Sequence, residues 1–441
     1  MPMRASGSHS KLLRVLGLLF GVAVVVGGMV GQGILRTPGI VASAVHSPES
    51  ILLLWIVGAG LVAISAFAYV ELGTAIPRAG GPYDFVRHAF GPLAGVIAGW
   101  GQWFVLVTQE AFLAIVVAEF LHRVGVWPSV GTSFLAVGIL AVFWLVNWTG
   151  TRISGGSQIA FSAIKGAALI ALVVLLFAQP GAQHLAVTPG EGIGLAGIVV
   201  AMRAIVNTYD GWQEFVLFGE EVERPERTLP RAMATGILSV AVLYVLVNMA
   251  LLHVLPPSDM AKSTLPAADA VKLALGPTGD LALTLFGVVS VAAITNLTVM
   301  KSARITFALA RAGHLPAKLS EVASTGTPRS ALTVSSVLAA AFAATGTYAT
   351  VVAVNVAMTV ALVVVVNMAA VRLRSREPNL PRPFRIPIYP LPAIAAVGLN
   401  LALLVALVVG DPVHSLGGFA FLAVIGAVYA AVHRRVERAP G

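Results

Sequence analysis

Lys165, Glu110, Arg203 and Asp210 each interrupt a stretch otherwise fit for hydrocarbon. By insertion scales, a charged side chain at the centre of a bilayer costs about 2.5–3.5 kcal/mol. Such residues are kept for binding, for proton relay or for internal pairing. Lys165, in Ser162-Ala163-Ile164-Lys165-Gly166, must snorkel, find a partner or shed its proton. Glu110, in Val107-Thr108-Gln109-Glu110-Ala111, has two readings. It pairs inside the protein with Arg36 or Arg203, or else Glu110 or Arg36 lines a pocket and meets a charged part of a ligand. Pairing carries the greater weight, because an unpaired buried charge is so costly. Arg36 and Arg203 are the candidates for selecting among ligands, and Lys165 and Glu110 for coupling or structural roles.

Backbone supplies the other chemistry. Val30-Gly31-Gln32-Gly33-Ile34 lies in an apolar run with glycines at 27, 28, 31 and 33, and Pro38-Gly39 follows. An interior glycine costs a helix about 1 kcal/mol relative to alanine and a proline about 3. Two half-helices with an unwound joint near 31–33 are expected. Unwound backbone is tolerated at membrane depth only where it is buried in protein or lines a cavity. Its carbonyls can receive an ammonium. Amides at the start of the outer half-helix, near Gly33 to Leu35, can receive a carboxylate. An α-amino acid carries both groups. The competing reading is a glycine-packed helix crossing. A second break is expected at Thr208-Tyr209-Asp210-Gly211-Trp212. Tyr209 or Trp212 could close over a bound solute, or Trp212 could be an interfacial anchor. Asp210 either meets a cation or belongs to a local helix-terminus network.

The elements that position these residues follow from length. The 441 residues are 58% hydrophobic and 11% charged, whereas soluble domains carry about 25% charged residues. Apolar runs of spanning length fall near 15–44, 50–76, 92–122, 131–149, 155–178, 192–219, 231–255, 280–309, 329–346, 349–371, 388–410 and 414–433. Twenty-one Lys and Arg fall on the side of the N-terminus and three (Arg123, Lys262, Lys272) on the other. Arg36, Lys165, Arg203 and Lys301 lie within or beside spans. By the positive-inside rule both termini are cytoplasmic, in a multi-pass protein of the plasma (inner) membrane. The net charge of +9 therefore reports topology rather than a nucleic-acid partner.

The two breaks fall in spans one and six. If spans 1–5 and 6–10 are repeats, five being odd, the second enters from the opposite side. Paired interrupted helices in such halves mark the midplane site of a secondary transporter. The organisation expected is an N-terminal cytoplasmic segment (1–14), a first repeat (15–178), a second repeat (192–372), two further helices (388–433) and a tail (434–441). Glu71, Arg78, Glu221 and Arg231, near cytoplasmic ends, suit an ion-paired inner gate, with solvated loop charges as the plainer alternative. Ser290, Thr295 and Asn296 suit polar helix packing or contacts at the break. The basic run 372–385 reads as an anchor meeting anionic lipid headgroups.

Five stretches in order resemble the amino acid–polyamine–organocation (APC) family of permeases, and especially its L-type exchangers and bacterial relatives. They are Gly28 to Ile34 with Thr37-Pro38-Gly39; Tyr69-Val70-Glu71-Leu72-Gly73 through Pro77 to Tyr83; Ala89-Phe90-Gly91-Pro92; Tyr209 to Trp212 with Glu220-Glu221-Val222 and 224–232; and Ser302-Ala303-Arg304 with Ala310 to Pro316. The resemblance implies a LeuT-like, all-α fold: a 5+5 inverted repeat with helices 1 and 6 broken, plus two C-terminal helices, about twelve in all. It implies alternating access, with helices 1, 2, 6 and 7 rocking against 3, 4, 8 and 9. It places Val30, Gly31, Gln32, Gly33, Ile34, Thr208, Tyr209, Asp210, Gly211 and Trp212 around an amino acid. It also gives Lys165 the place that sodium holds in sodium-coupled relatives, hence exchange or proton symport. Members often carry serine where Gln32 stands, so side-chain selection is expected to differ there and at Arg36.

Neutral amino acids are the favoured substrates, because the cradle satisfies ammonium and carboxylate without a further charge. A polyamine or cationic amino-acid permease using Asp210, Glu110 or Glu214 is the alternative, and a non-transporting sensor is a weaker one. No cysteine, phosphate-binding loop or paired histidine suggests an enzyme, cofactor or metal. Oligomeric state is left open.

Overall fold

A run of sixteen α-helices and two 3-10 turns makes up the computed structural model, which describes residues 11–181, 194–276, 278–345 and 348–438. Most of the expected N-terminal segment, residues 182–193 between the two runs of five, and 439–441 of the tail lie outside the described residues. The first span is α1 (Leu18–Met29) and α2 (Gly33–Val45), bent by 47° at the break. Then come α3 (Pro48–Ala75), the short α4 (Pro82–Phe90), α5 (Pro92–Arg123), α6 (Thr132–Thr149) and α7 (Thr151–Phe177).

The second run opens with α8 (Leu195–Thr208). A 3-10 helix (Trp212–Phe218) takes over after the break. It continues with α9 (Pro225–Val254), two short helices α10 (Pro257–Lys262) and α11 (Pro266–Leu275), α12 (Thr278–Arg311), α13 (Arg329–Thr345) and α14 (Tyr348–Arg376). The last pair is α15 (Leu391–Gly410) and α16 (Pro412–Arg438). Among the described residues, nine helices are long and apolar enough to span. The bent pair, the interrupted sixth and the shorter α13 complete the twelve runs in the order expected. The short helices α4, α10 and α11 were not expected; each begins with proline at its first turn and an aspartate shortly after, a helix-start signal that can be read from sequence.

The packing has the pairing of an inverted repeat. Exchanging each helix of one run for its counterpart maps contacts onto contacts. The pair α5–α6 answers α12–α13, α5–α13 answers α6–α12, and α5–α14 answers α7–α12. The pairs α3–α9, α5–α12 and α6–α13 map onto themselves. Not every contact has its counterpart: α1 packs along α7, while the matching pair, the sixth span and α14, is parted by a cleft. An inverted repeat whose halves differ in this way has one pathway shut and the other open.

The shut face is the one where residues 11–17 lie. Val15 and Leu16 donate their amides to Glu221 O, both at 3.0 Å, and the Glu223 amide donates to Leu16 O at 2.9 Å. The Arg304 guanidinium, 1% exposed, grips Glu221 through Nε to Oε2 (2.8 Å) and Nη2 to Oε1 (2.9 Å). Arg311 reaches Glu220 at 2.8 Å. Of the expected gate residues, Glu221 takes that role. Arg78 pairs with Asp84 at 3.7 Å, and Arg231 is exposed.

Glu71 departs from the gate expectation. It is buried and accepts Arg374, Arg382 and the Ile386 amide. Arg372 and Arg376 cap the Ala89 carbonyl at the end of α4. Part of the basic run therefore clamps the protein itself: a buried carboxylate and an orphan helix carbonyl draw Arg374, Arg382 and the ends of Arg372 and Arg376 inward, while Arg372, Arg376 and Arg385 stay exposed.

Candidate functional site

The two breaks touch backbone to backbone. Gly211 adopts φ +105°, and a Cβ on it would lie 2.6 Å from both C and O of Gly28. A Cβ on Gly28 would in turn lie 2.7 Å from Gly211 O. Glycine is required at both positions, for the left-handed turn at one and for the close approach at the other.

Side chains satisfy the carbonyls that the first break releases. Lys165 Nζ donates to Gly27 O at 2.7 Å, and Ser162 Oγ donates to Ala23 O at 2.6 Å. Tyr244 Oη donates to Met29 O at 2.8 Å and sits 3.3 Å from Thr208 O, joining the two broken spans. Ser290 Oγ donates to Val30 O at 3.3 Å. Beyond the break Thr37 and Thr208 share a hydroxyl hydrogen bond of 2.6 Å, so α2 is fastened to α8. Of the amides expected to be free, that of Leu35 is taken by Gln32 O at 3.1 Å. Gly33 and Ile34, the first residues of α2, hold amides that a helix leaves without an internal partner.

The cleft is narrow, with a cavity volume of about 40 Å³, and opens partly to solvent. Gln102 and Gln109 of α5, Asp210, Gln213 and Glu214 after the second break, and Asn355 and Thr359 of α14 supply its polar wall; Tyr69 and Leu362 are among its apolar lining. Asp210 holds Gln213 Nε2 at 3.0 Å and keeps an exposed edge toward the cleft. Both readings of Asp210 thus meet in one residue: a local network with a free side. Glu214 is ion-paired with the fully buried Lys301 of α12.

An amide- and carboxylate-walled cleft beside two crossed helix breaks suits a small solute, and comparison with known proteins gives the family. The family profile described as amino acid permease matches residues 16–430. The chain belongs to that family. It is similar to the serine/threonine exchanger SteT of Bacillus subtilis, with 28% identity over 91% of this chain and 92% of that protein. It is similar to the mouse b(0,+)-type amino acid transporter 1, with 26% identity over 91% and 84%. It also resembles the human large neutral amino acids transporter small subunit 2, with 28% identity over 72% and 62%. The APC resemblance and the all-α multi-span fold hold. This permease is a transport protein of the membrane, not an enzyme, and amino acids are its substrate class.

Against the sequence reading, several residues of the permease stand elsewhere. Tyr209 is buried among Trp55 and Tyr244, with its hydroxyl donating to Trp55 O at 3.3 Å. Trp212 packs edge-on against Tyr69, with ring centres 5.0 Å apart, and is 4% exposed. Neither ring is poised over the cleft, and Trp212 is no interfacial anchor: buried aromatic packing holds both in place. Arg36 is exposed, and so is Arg203, whose guanidinium approaches Gly410. Neither pairs with Glu110 or lines the cleft, because their faces of α2 and α8 point away from the bundle. Glu110 is fully buried, with Lys301 and Ser302 as its polar neighbours. Val30 and Ile34 are buried, Gly31 and Gly33 half-buried, and Gln32 exposed.

Lys301, Arg304 and Tyr244 were missed as functional residues. Lys301 lies mid-run beside a serine, a signal of the kind that marked Lys165. Tyr244 gave no signal, since a tyrosine in an apolar run is ordinary. Tyr244→Phe leaves the buried Met29 carbonyl short of its donor, at about 1–2 kcal/mol. The expected result is a lower melting temperature for the purified protein and slower uptake, while Tyr69→Phe, whose hydroxyl bridges no break, leaves the melt in place.

Proposed function

We propose that this permease moves amino acids by alternating access, independently of sodium, driven by a counter-substrate or a proton, in the plasma (inner) membrane with both termini cytoplasmic. The observation that carries this reading is the Lys165 ammonium on Gly27 O at the first break. A fixed cation at that carbonyl does the work of a mobile one. The crossing at Gly28 and Gly211 supports alternating access, because it makes one joint of the two broken spans.

Zwitterionic neutral amino acids are the favoured substrates. The unpartnered first-turn amides of α2 suit a carboxylate, and Glu214 is already neutralised by Lys301. The exposed edge of Asp210 favours a second reading, in which a cationic side chain or polyamine is taken there. Of the named selectivity candidates, Arg36 and Arg203 stand away from the cleft, and Asp210 takes their place in this reading. The names of the relatives, an exchanger of serine and threonine among them, agree with amino-acid exchange.

Proteoliposomes test this directly. Labelled leucine should enter when an amino acid is loaded inside or a proton gradient is applied, and replacing sodium by choline should change nothing. Stimulation by sodium would sink the role given to Lys165. Excess arginine or putrescine that blocks leucine uptake would favour the cationic reading. Lys165→Gln should lose at least about tenfold in initial rate, equivalent to about 1.4 kcal/mol, with the protein still monodisperse.

A further inference from the structure

Four buried ionisable groups form a row of alternating sign through the first break. Lys165 of α7 lies on Gly27 O. Next to it, Glu214 Oε2 stands 3.1 Å from where a Cβ on Gly28 would be. Glu214 Oε1 meets Lys301 of α12, and beyond Lys301 lies Glu110 of α5. Asp210 stands beside Glu214 and opens to the cleft.

Glu110 is the odd member. It is 0% exposed and its oxygens make no hydrogen bond of good geometry, with the Ser302 hydroxyl and Lys301 beside it. A bare carboxylate in such a place is untenable without a proton or a counter-charge. Lys165 and Lys301 balance Asp210 and Glu214 in charge, which leaves Glu110 to be neutral. The neighbours agree. On the helices packed against α5, α6 and α13 offer apolar side chains and α14 the amide of Asn355, while α4 and α16 meet its earlier turns, α16 with Phe421 and Leu422 near Gly101 and Phe104. Lys301 is the titratable group that acts on Glu110 among the described residues.

The two carboxylates that flank Lys301 ride on different parts. Glu110 and Lys301 belong to α5 and α12, which pack along each other. Glu214 belongs to the 3-10 helix of the sixth span, which packs on α1 and is joined to it through Leu16 and Val222. Motion of the broken spans against α5 and α12 carries Glu214 away from Lys301.

We propose that Lys301 changes partners in the transport cycle, paired with Glu214 in the state described and with Glu110 once the sixth span has moved, and that Glu110 holds a proton only in the first. The proposal rests on the alternating-access reading above. As the ammonium arrives, the O–H bond of Glu110 breaks and its proton passes to solvent in the pathway then open. On return, Lys301 goes back to Glu214 and a proton from the cleft, whose wall includes the adjacent Gln109, re-forms the O–H bond. Charge is conserved at each step, and one proton travels with the substrate from the cleft side.

A double-mutant cycle on purified protein reads the exchange without any transport. Glu110→Gln should leave the melting temperature within about 2 °C, and Glu214→Gln should lower it by only a few degrees because Glu110 takes over Lys301. The double variant should fall by more than about twice the sum of the two. If Glu214→Gln alone falls as far as the double, Lys301 has no second partner and the proposal is overturned. In proteoliposomes, wild-type uptake should rise as the external pH falls, and the Glu110→Gln profile should be flat. A wild type indifferent to pH, or a variant that keeps the wild-type slope, overturns the proton step. Absence of uptake for every amino acid defeats the transport reading instead, and the melting cycle still decides the exchange of partners.

Discussion

Gly211→Ala should abolish uptake and cost the protein at least about 3 kcal/mol. A left-handed residue with a Cβ costs about 1–2 kcal/mol on its own account. Here the Cβ would also lie 2.6 Å from backbone atoms of Gly28, which have no rotamer to yield. The two broken spans would have to separate beside the point where Tyr244 joins them and Lys165 holds the first. The check is a thermal melt together with uptake, with Gly156→Ala as the control, since nothing lies within 4 Å of a Cβ there. Gly28→Ala should fail in the same way. The double variant should cost no more than the worse single, because both open the same crossing. A Gly211→Ala protein that melts and transports like wild type would show that the crossing is not needed.

The second large effect is expected at the shut face. Glu221→Gln removes the charge partner of a guanidinium that is 1% exposed and already holds Met300 O and approaches Thr151 Oγ1. Breaking a buried pair by removing one member costs about 3–5 kcal/mol. Part of that loss falls only on the closed state, so the population shifts toward opening at this face. The chain has no cysteine, so a single Leu16→Cys reports the change in a clean background. Leu16 is 3% exposed in the closed face. Maleimide should label it at least about tenfold faster when Glu221→Gln is added, as a shift of about 1.4 kcal/mol requires. An unchanged labelling rate would mean that the backbone bridge alone keeps this face shut.

Hydropathy and glycine placement made most of the scaffold legible. The run 131–149 became Thr132–Thr149, 92–122 became Pro92–Arg123, and both breaks fell where glycine and the helix-poor Tyr-Asp-Gly stretch put them. Those signals are local: each residue type acts on its own helix. Charge pairing is not local. Arg304 finds Glu221 from 83 residues away, and Arg374 finds Glu71 from 303. Hydropathy marks such a residue as out of place without naming the side chain that receives it. Arg203 and Arg36 looked as buried as Glu110 in the sequence, yet both turn outward. A single face of a helix decides between the bundle and its surroundings: α2 and α8 are amphipathic and carry Arg36 and Arg203 on the outward side, whereas the nearly uniform apolar run of α5 does not reveal its face.

The terminal hairpin looks in sequence like an addition to a finished ten-helix design. Its packing says otherwise. Helix α15 lies along α14 and α3, whereas α16 lies along α5 and α14. Asp411 is the one residue between them, and it is bound to His414 at 2.9 Å. A joint with so little slack cannot let its two arms drift apart freely. In the proposed alternating-access cycle, with α3 among the moving helices, the hairpin would tether the two parts and limit how far they slide.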